Sequence, residues 1–89
     1  MHITARGGHV DVAQLLLSQG ADVNSKAEDG AVTPLHIAAA WGQLDMIRFL
    51  LDNGADATAC DTEFNAVPAG WAKFWKRDEA VTLLETFTV

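Results

Sequence analysis

The chain has 89 residues, and its twelve acidic and six basic side chains give a formal charge of −6, an average field that repels phosphate and argues against a nucleic-acid partner. One cysteine leaves no disulfide framework and suits a reducing, cytoplasmic setting; Asp11 and the early glycines interrupt any signal peptide, and no apolar run reaches membrane-spanning length. A chain this short buries only about 60 to 65% of the surface its unfolded form exposes, so its stability margin is narrow.

The sequence repeats itself at an offset of 34. His2 and His36, Gly8 and Gly42, Asp11 and Asp45, Gly20 and Gly54, and Asp22 and Asp56 share that spacing, and the same step carries Pro34 to Pro68, Trp41 to Trp75 and Leu50 to Leu84. A period of this length signals stacked units, each of which needs a neighbour to bury its apolar face. The chain reads as one domain, 1–89, with units at about 1–30, 31–64 and 65–89.

The first unit opens at Met1, where the middle unit has Leu35, and so lacks a helix start and a preceding hairpin. It is expected to be either a fragment of a longer array or a naturally short chain with a rough N-terminal end. Its apolar flank around Ile3, Val12 and Leu16 is then partly open, which predicts self-association or fraying there. In the middle unit Thr33 before Pro34 is a helix start: the hydroxyl accepts from an orphan backbone N–H, and proline at the first helical position loses no needed donor. That helix should run to about Trp41 and end where Gly42 supplies a positive φ, with Ala38, Ala39 and Ala40 letting it lie close to its neighbours. Asp45 sits in the first turn of a second helix that puts Leu44, Ile47, Leu50 and Leu51 on one side and stops at Gly54. The polar, turn-rich stretch 55–67 predicts an extended hairpin between units, as does the segment near 22–33. The last unit reads as an end piece. Asp78 stands where Val10 and Leu44 do, Glu85 where Leu17 and Leu51 do, and Ala80 where Met46 does, so the side that would meet a fourth unit turns polar. Trp71 matches Ile37 and is assigned to the core between units.

Thr33-Pro34-Leu35-His36-Ile37-Ala38-Ala39, Gly42, the run Leu44 to Leu51, and Asn53-Gly54-Ala55-Asp56 together resemble an ankyrin repeat. His2 to Val12, followed by Gly20-Ala21-Asp22-Val23-Asn24, resembles one as closely. The third unit diverges, with Gly70 in place of histidine and Ala66 or Val67 in place of threonine. The resemblance implies an all-α repeat solenoid of helix-turn-helix units joined by hairpin loops, with one extra residue in each linker, near Ala31 and Val32 and near Ala66. It also implies a non-catalytic protein–protein interaction module that binds a protein partner through a concave groove. The groove positions are those just before the helix-ending glycine: Arg6 and Gly7, Ala40 and Trp41, Phe74 and Trp75. Arg6, Trp41, Phe74 and Trp75, with the acidic hairpin residues Glu28, Asp61 and Glu63, are the candidate partner-binding set, and the three rings are expected to form one continuous apolar strip. Two other readings stand beside it: the rings only pack against the hairpins, or the chain is a structural cap of a larger array. A third rests on Leu16, Asp22, Val23 and Asn24, which resemble the residues that asparaginyl hydroxylases accept in ankyrin hairpins and make Asn24 a candidate substrate position.

No catalytic constellation emerges from the residues. His2 and His36 share one slot of successive units, where an imidazole would hold a turn by hydrogen bonding to backbone. His9 falls at the start of a second helix and is expected to be exposed. Cys60 has no second cysteine or histidine at zinc-ligand spacing, so neither a metal nor a cofactor is expected. Gly7-Gly8 lacks the strand and pattern of a dinucleotide loop. Lys73, Lys76 and Arg77, interleaved with Phe74 and Trp75, form the basic cluster and read as a solvated outer face in preference to an anion site.

Overall fold

A computed structural model describes residues 2–27 and 30–87; Glu28 and the Ile3 side chain, both named above, lie outside what is described. The described residues form six helices in three pairs. Helices α1 (His2–Gly7) and α2 (Val10–Ser18) make the first pair, α3 (Pro34–Trp41) and α4 (Leu44–Asp52) the second, and α5 (Pro68–Phe74) and α6 (Asp78–Phe87) the third. Odd-numbered helices pack side by side along the stack, α1 on α3 and α3 on α5, and even-numbered helices form the second layer.

Local chemistry sets these boundaries. Thr33 is extended, at φ −96° and ψ 164°; its hydroxyl accepts from His36 N–H, and His36 reaches back to the Thr33 N–H in a reciprocal cap, with Pro34 at the first helical position. Gly42 ends α3 in the left-handed region at φ 67°, as Gly8 ends α1 at φ 70°. The third unit lacks both devices: Val67 offers no side-chain cap, and Lys76 adopts φ 58° where the other units have glycine. A left-handed L-residue costs about 1 to 2 kcal/mol, partly offset because glycine would loosen the unfolded chain, so Lys76→Gly should stabilise by about 0.5 to 1 kcal/mol. Thermal melts should record this as a rise of several degrees; a lower midpoint would mean that the lysine side chain contributes more than its backbone loses.

The linkers turn without forming strands among the described residues. Each closes with one backbone bond, Ala27 N–H to Val32 O at 2.8 Å and Asp61 N–H to Ala66 O at 3.1 Å, and Thr62 N–H donates to Gly30 O at 2.7 Å to tie one linker to the next. Ala31 and Asn65, equivalent by the repeat, both turn through positive φ at 54° and 51°, beside the positions assigned to the extra residues.

The core is centred on the middle pair. There α3 buries Leu35, His36, Ala38, Ala39 and Ala40, and α4 buries Met46, Ile47, Leu50 and Leu51, whereas among the described side chains α1 and α2 each bury one alanine, Ala5 and Ala13. Of the flank expected to be open from the sequence, Val12 is exposed and Leu16 half-buried; Leu15, not among the residues expected there, is also exposed. At the other end Asp78 and Glu85 are exposed, but Ala80 is buried with Leu84. Ala80 therefore belongs to the joint with the middle unit and not to the polar end face.

Candidate functional site

Two hydrogen-bonded joints recur along the stack, and a third occurs once, at Asn24. His2 Nε2 lies 2.6 Å from Val32 O, and His36 Nε2 2.9 Å from Ala66 O, so each imidazole holds the next linker, as the shared slot predicts. His36 Nδ1 accepts the Thr33 N–H at 3.2 Å, which assigns the hydrogen to Nε2 and keeps the ring neutral. Burial lowers the His36 pKa, and the bond to Ala66 and the Asp61 charge only partly oppose that shift. A second joint involves the residue just before each even-numbered helix. Gln43 Nε2 donates to Arg6 O at 3.1 Å and Arg77 Nε to Ala40 O at 3.0 Å, each satisfying an orphan carbonyl near the C-terminus of the preceding odd-numbered helix. In the third, Asn24 spends both ends of its amide on the following unit: Nδ2 donates to Gly54 O at 3.1 Å, and Oδ1 accepts Asp56 N–H at 2.7 Å.

Lys73, Lys76 and Arg77 are all exposed, as a solvated face requires. Within that face Arg77 also clamps α3, and Lys73 Nζ lies 3.5 Å from Glu85 Oε2. Gln43 and Arg77 were legible as long polar side chains at the repeat offset, yet their partners are backbone carbonyls that no residue pattern reveals.

Asp61 is the largest departure. Expected on the rim of the groove, it is buried within the second linker. Its Oδ2 accepts Phe64 N–H at 2.7 Å, and its Oδ1 accepts Ala66 N–H at 2.9 Å and the Trp71 indole N–H at 3.0 Å. Burial pushes the Asp61 pKa upward, but those bonds and the nearby His36 outweigh it and hold the carboxyl at about 2. Ala27 occupies the equivalent place one unit earlier, so an acid replacing alanine was the available signal. Trp71, assigned to the core, is only half-buried. Its indole edge is drawn to Asp61, and its ring meets His36 edge to face, with centroids 5.2 Å apart.

The aromatic residues at the groove positions are open to solvent: Trp41 is 48% exposed, Phe74 76% and Trp75 54%. Arg6 stacks over Trp41 with its guanidinium carbon 4.7 Å from the ring centroid, a cation–π contact across two units. Phe74 and Trp75 meet edge to face at 5.2 Å. Trp41 and the Phe74–Trp75 pair line separate concavities. Trp41 borders a shallow hollow of about 380 Å³ with Lys76, Arg77, Asp78 and Glu79. Phe74 and Trp75 border an apolar recess of about 300 Å³ with Phe64 and Trp71. Glu63 is exposed on the second linker. Phe64, 70% exposed, was missed because a lone phenylalanine in a polar linker carries no periodic signal.

Among the described residues no group of three or more His, Cys, Asp or Glu is placed to hold a metal ion, and no helix is long and apolar enough to cross a membrane. Paired helices, glycine-ended turns and imidazoles tying each unit to the next linker define a stack of helix-turn-helix repeats. A family model described as ankyrin repeats, in three copies, matches residues 1–61, and the chain belongs to the ankyrin-repeat family. The match stops before α5, and the third helix pair continues the array at the same offset. A search of the curated proteins returns no match. Ankyrin repeats are generally protein–protein interaction modules and typically non-catalytic.

Proposed function

We propose that the chain is a non-catalytic module that binds a protein partner through the concave face bearing Arg6, Trp41, Phe74 and Trp75. The observation that carries this reading is the exposure of three large rings at equivalent ends of α3 and α5, while Leu35, Ala38 and Ala72 on the same helices are buried. Rigid aromatic area loses little conformational entropy on binding and is a common source of hot spots. The Arg6–Trp41 stack holds one ring in place before a partner arrives, which lowers the ordering cost of association. Glu63 and the acidic surface as a whole favour a partner with basic residues around its apolar anchors. A reducing, intracellular setting suits the single free thiol of Cys60.

Asn24, the alternative site of modification, has its amide committed to Gly54 and Asp56, which favours a structural role for it. The test is capture of partners from cell extract by wild type and by Trp41→Ala and Trp75→Ala, both first shown to melt as wild type does. Loss of a partner common to both variants supports the groove. Retention of every partner at unchanged affinity would mean that the rings only cover the repeats, and a lowered melting midpoint would favour the capping role.

A further inference from the structure

The third unit inverts the packing of the slot that ties units together. His2 and His36 fill that slot with an imidazole, but Gly70 leaves it empty, while two small residues around it become large: Phe64 stands where Gly30 does and Phe74 where Ala40 does. The result is a recess with an open centre and an aromatic rim, lined by Phe64, Ala66, Gly70, Trp71, Phe74 and Trp75 and about 300 Å³ in volume. The rings stand at different orientations around it, Phe64 against Trp71 at 77° and Phe74 against Trp75 at 85°. Its volume sits at the small end of the range for ligand pockets, which run from about 300 to 1,000 Å³.

The electrostatics select the kind of guest. The Asp61 carboxylate lies at the edge of the Trp71 indole, outside the lining of the recess, and takes its hydrogen bonds from neutral N–H groups: Phe64, Ala66 and the Trp71 indole. Among the described residues the ion pairs are Arg48 with Asp45 and Lys73 with Glu85, so no cation side chain of the protein pairs with Asp61. Lys73, the nearest basic residue in sequence to Phe74, is drawn away to Glu85, and Lys76 lines the other hollow. A negative charge at the edge of an indole that lines an apolar, aromatic recess, on a chain of net charge −6, favours a cation over a neutral guest, provided the cation is weakly hydrated and can lose its water.

We propose that the recess at Gly70 is a binding site for an alkylated ammonium group, of the kind carried by choline or by a methylated lysine side chain. The rings of Phe64, Trp71, Phe74 and Trp75 contact its methyl groups, and the Asp61 charge acts through the Trp71 ring. This inference stands on the recess alone and does not need the groove reading.

Isothermal titration of the full chain with tetramethylammonium, choline and the neutral isostere 3,3-dimethylbutan-1-ol tests it. Both cations should bind, and the isostere should bind at least about tenfold more weakly. Gly70→His, which restores the imidazole of the other units and fills the slot, and Phe64→Ala, which removes a wall outside the groove set, should each weaken cation binding by about tenfold or more. Circular dichroism checks that both variants are folded, and Trp41→Ala should bind the cations as wild type does. A second arm titrates a short peptide containing trimethyllysine against the same peptide with unmodified lysine. Tighter binding of the methylated peptide than of choline assigns the group to a protein, and tighter binding of choline assigns it to a free small molecule. Equal binding of the neutral isostere, cation binding that survives both folded variants, or no cation binding at all would each overturn the proposal. Because Trp41→Ala is silent here and decisive in partner capture, either proposal can fail while the other stands.

Discussion

Leu50→Ala should cost about 2 to 5 kcal/mol, the range for truncating a buried leucine when the site cannot fully collapse. Leu50 is fully buried in the last turn of α4, the even-numbered helix flanked by α2 on one side and α6 on the other. Its carbonyl also accepts the Ala55 N–H at 2.9 Å, so the same turn anchors the start of the following linker. At about 0.05 to 0.15 kcal/mol per residue, a chain of this length has roughly 4 to 13 kcal/mol of total stability, so the truncation removes a large share of it. Circular dichroism should show a melting midpoint lower by ten degrees or more, on the scale of about 4 to 8 °C per kcal/mol for domains this small. Leu15→Ala is the matched control, because Leu15 is exposed on the first pair and its loss should change stability by no more than about 0.5 kcal/mol. Equal effects at the two positions would contradict a core centred on the middle unit.

The contrast between these leucines shows what the sequence could convey. Leu15 aligns by the repeat with Phe49, whereas the equivalent of Leu50 is Leu16; local pattern does not separate Leu16 from Leu50, yet Leu16 is only half-buried. Their burial differs because α4 is covered on both flanks and α2 on one, a property of place in the stack. The helix starts and stops of the middle unit were legible because Thr33, Pro34 and Gly42 act on backbone groups within a few residues of themselves. The turn at Lys76 was hidden by the same logic: its left-handed backbone is imposed by the register of α5 and α6 and is not favoured by the residue.

The candidate site was legible by position and not by arrangement. The repeat placed Trp41, Phe74 and Trp75 at the surface ends of α3 and α5, where they are found. It could not place their rings, because ring contacts depend on rotamers set by neighbours from other units: Arg6 claims Trp41, while Phe74 and Trp75 claim each other. Asp61 was misassigned for a related reason. An acid in a turn-rich segment reads as solvated, and only the approach of Trp71 from the next helix, together with the curl of the linker, converts it into a buried acceptor.

That acceptor gives the chain an acid-sensitive joint. Asp61 has a folded pKa of about 2 against an ordinary value of 3.8, so its contribution is fully present above the unfolded value and is lost as pH falls from about 3.8 towards 2. His36 acts in the same direction at higher pH. Its folded pKa is depressed below 6.5, so the unfolded chain takes up the proton first, and stability begins to fall as pH drops below the unfolded value. Both residues meet Trp71 of the third unit, so the joint between the middle and third units should weaken in two stages on acidification. Asp61→Asn isolates the lower stage. The amide retains one acceptor oxygen for Ala66 N–H and the Trp71 indole but turns an NH₂ group towards Phe64 N–H, so two donors meet where a donor met an acceptor. At neutral pH the variant should melt well below wild type, and its tryptophan emission should shift to the red as Trp71 loosens. Between pH 4 and 2 its melting midpoint should fall less steeply than that of wild type, so the two curves converge. Parallel curves across that interval would mean that the Asp61 carboxylate is no better held in the folded chain than in the unfolded one.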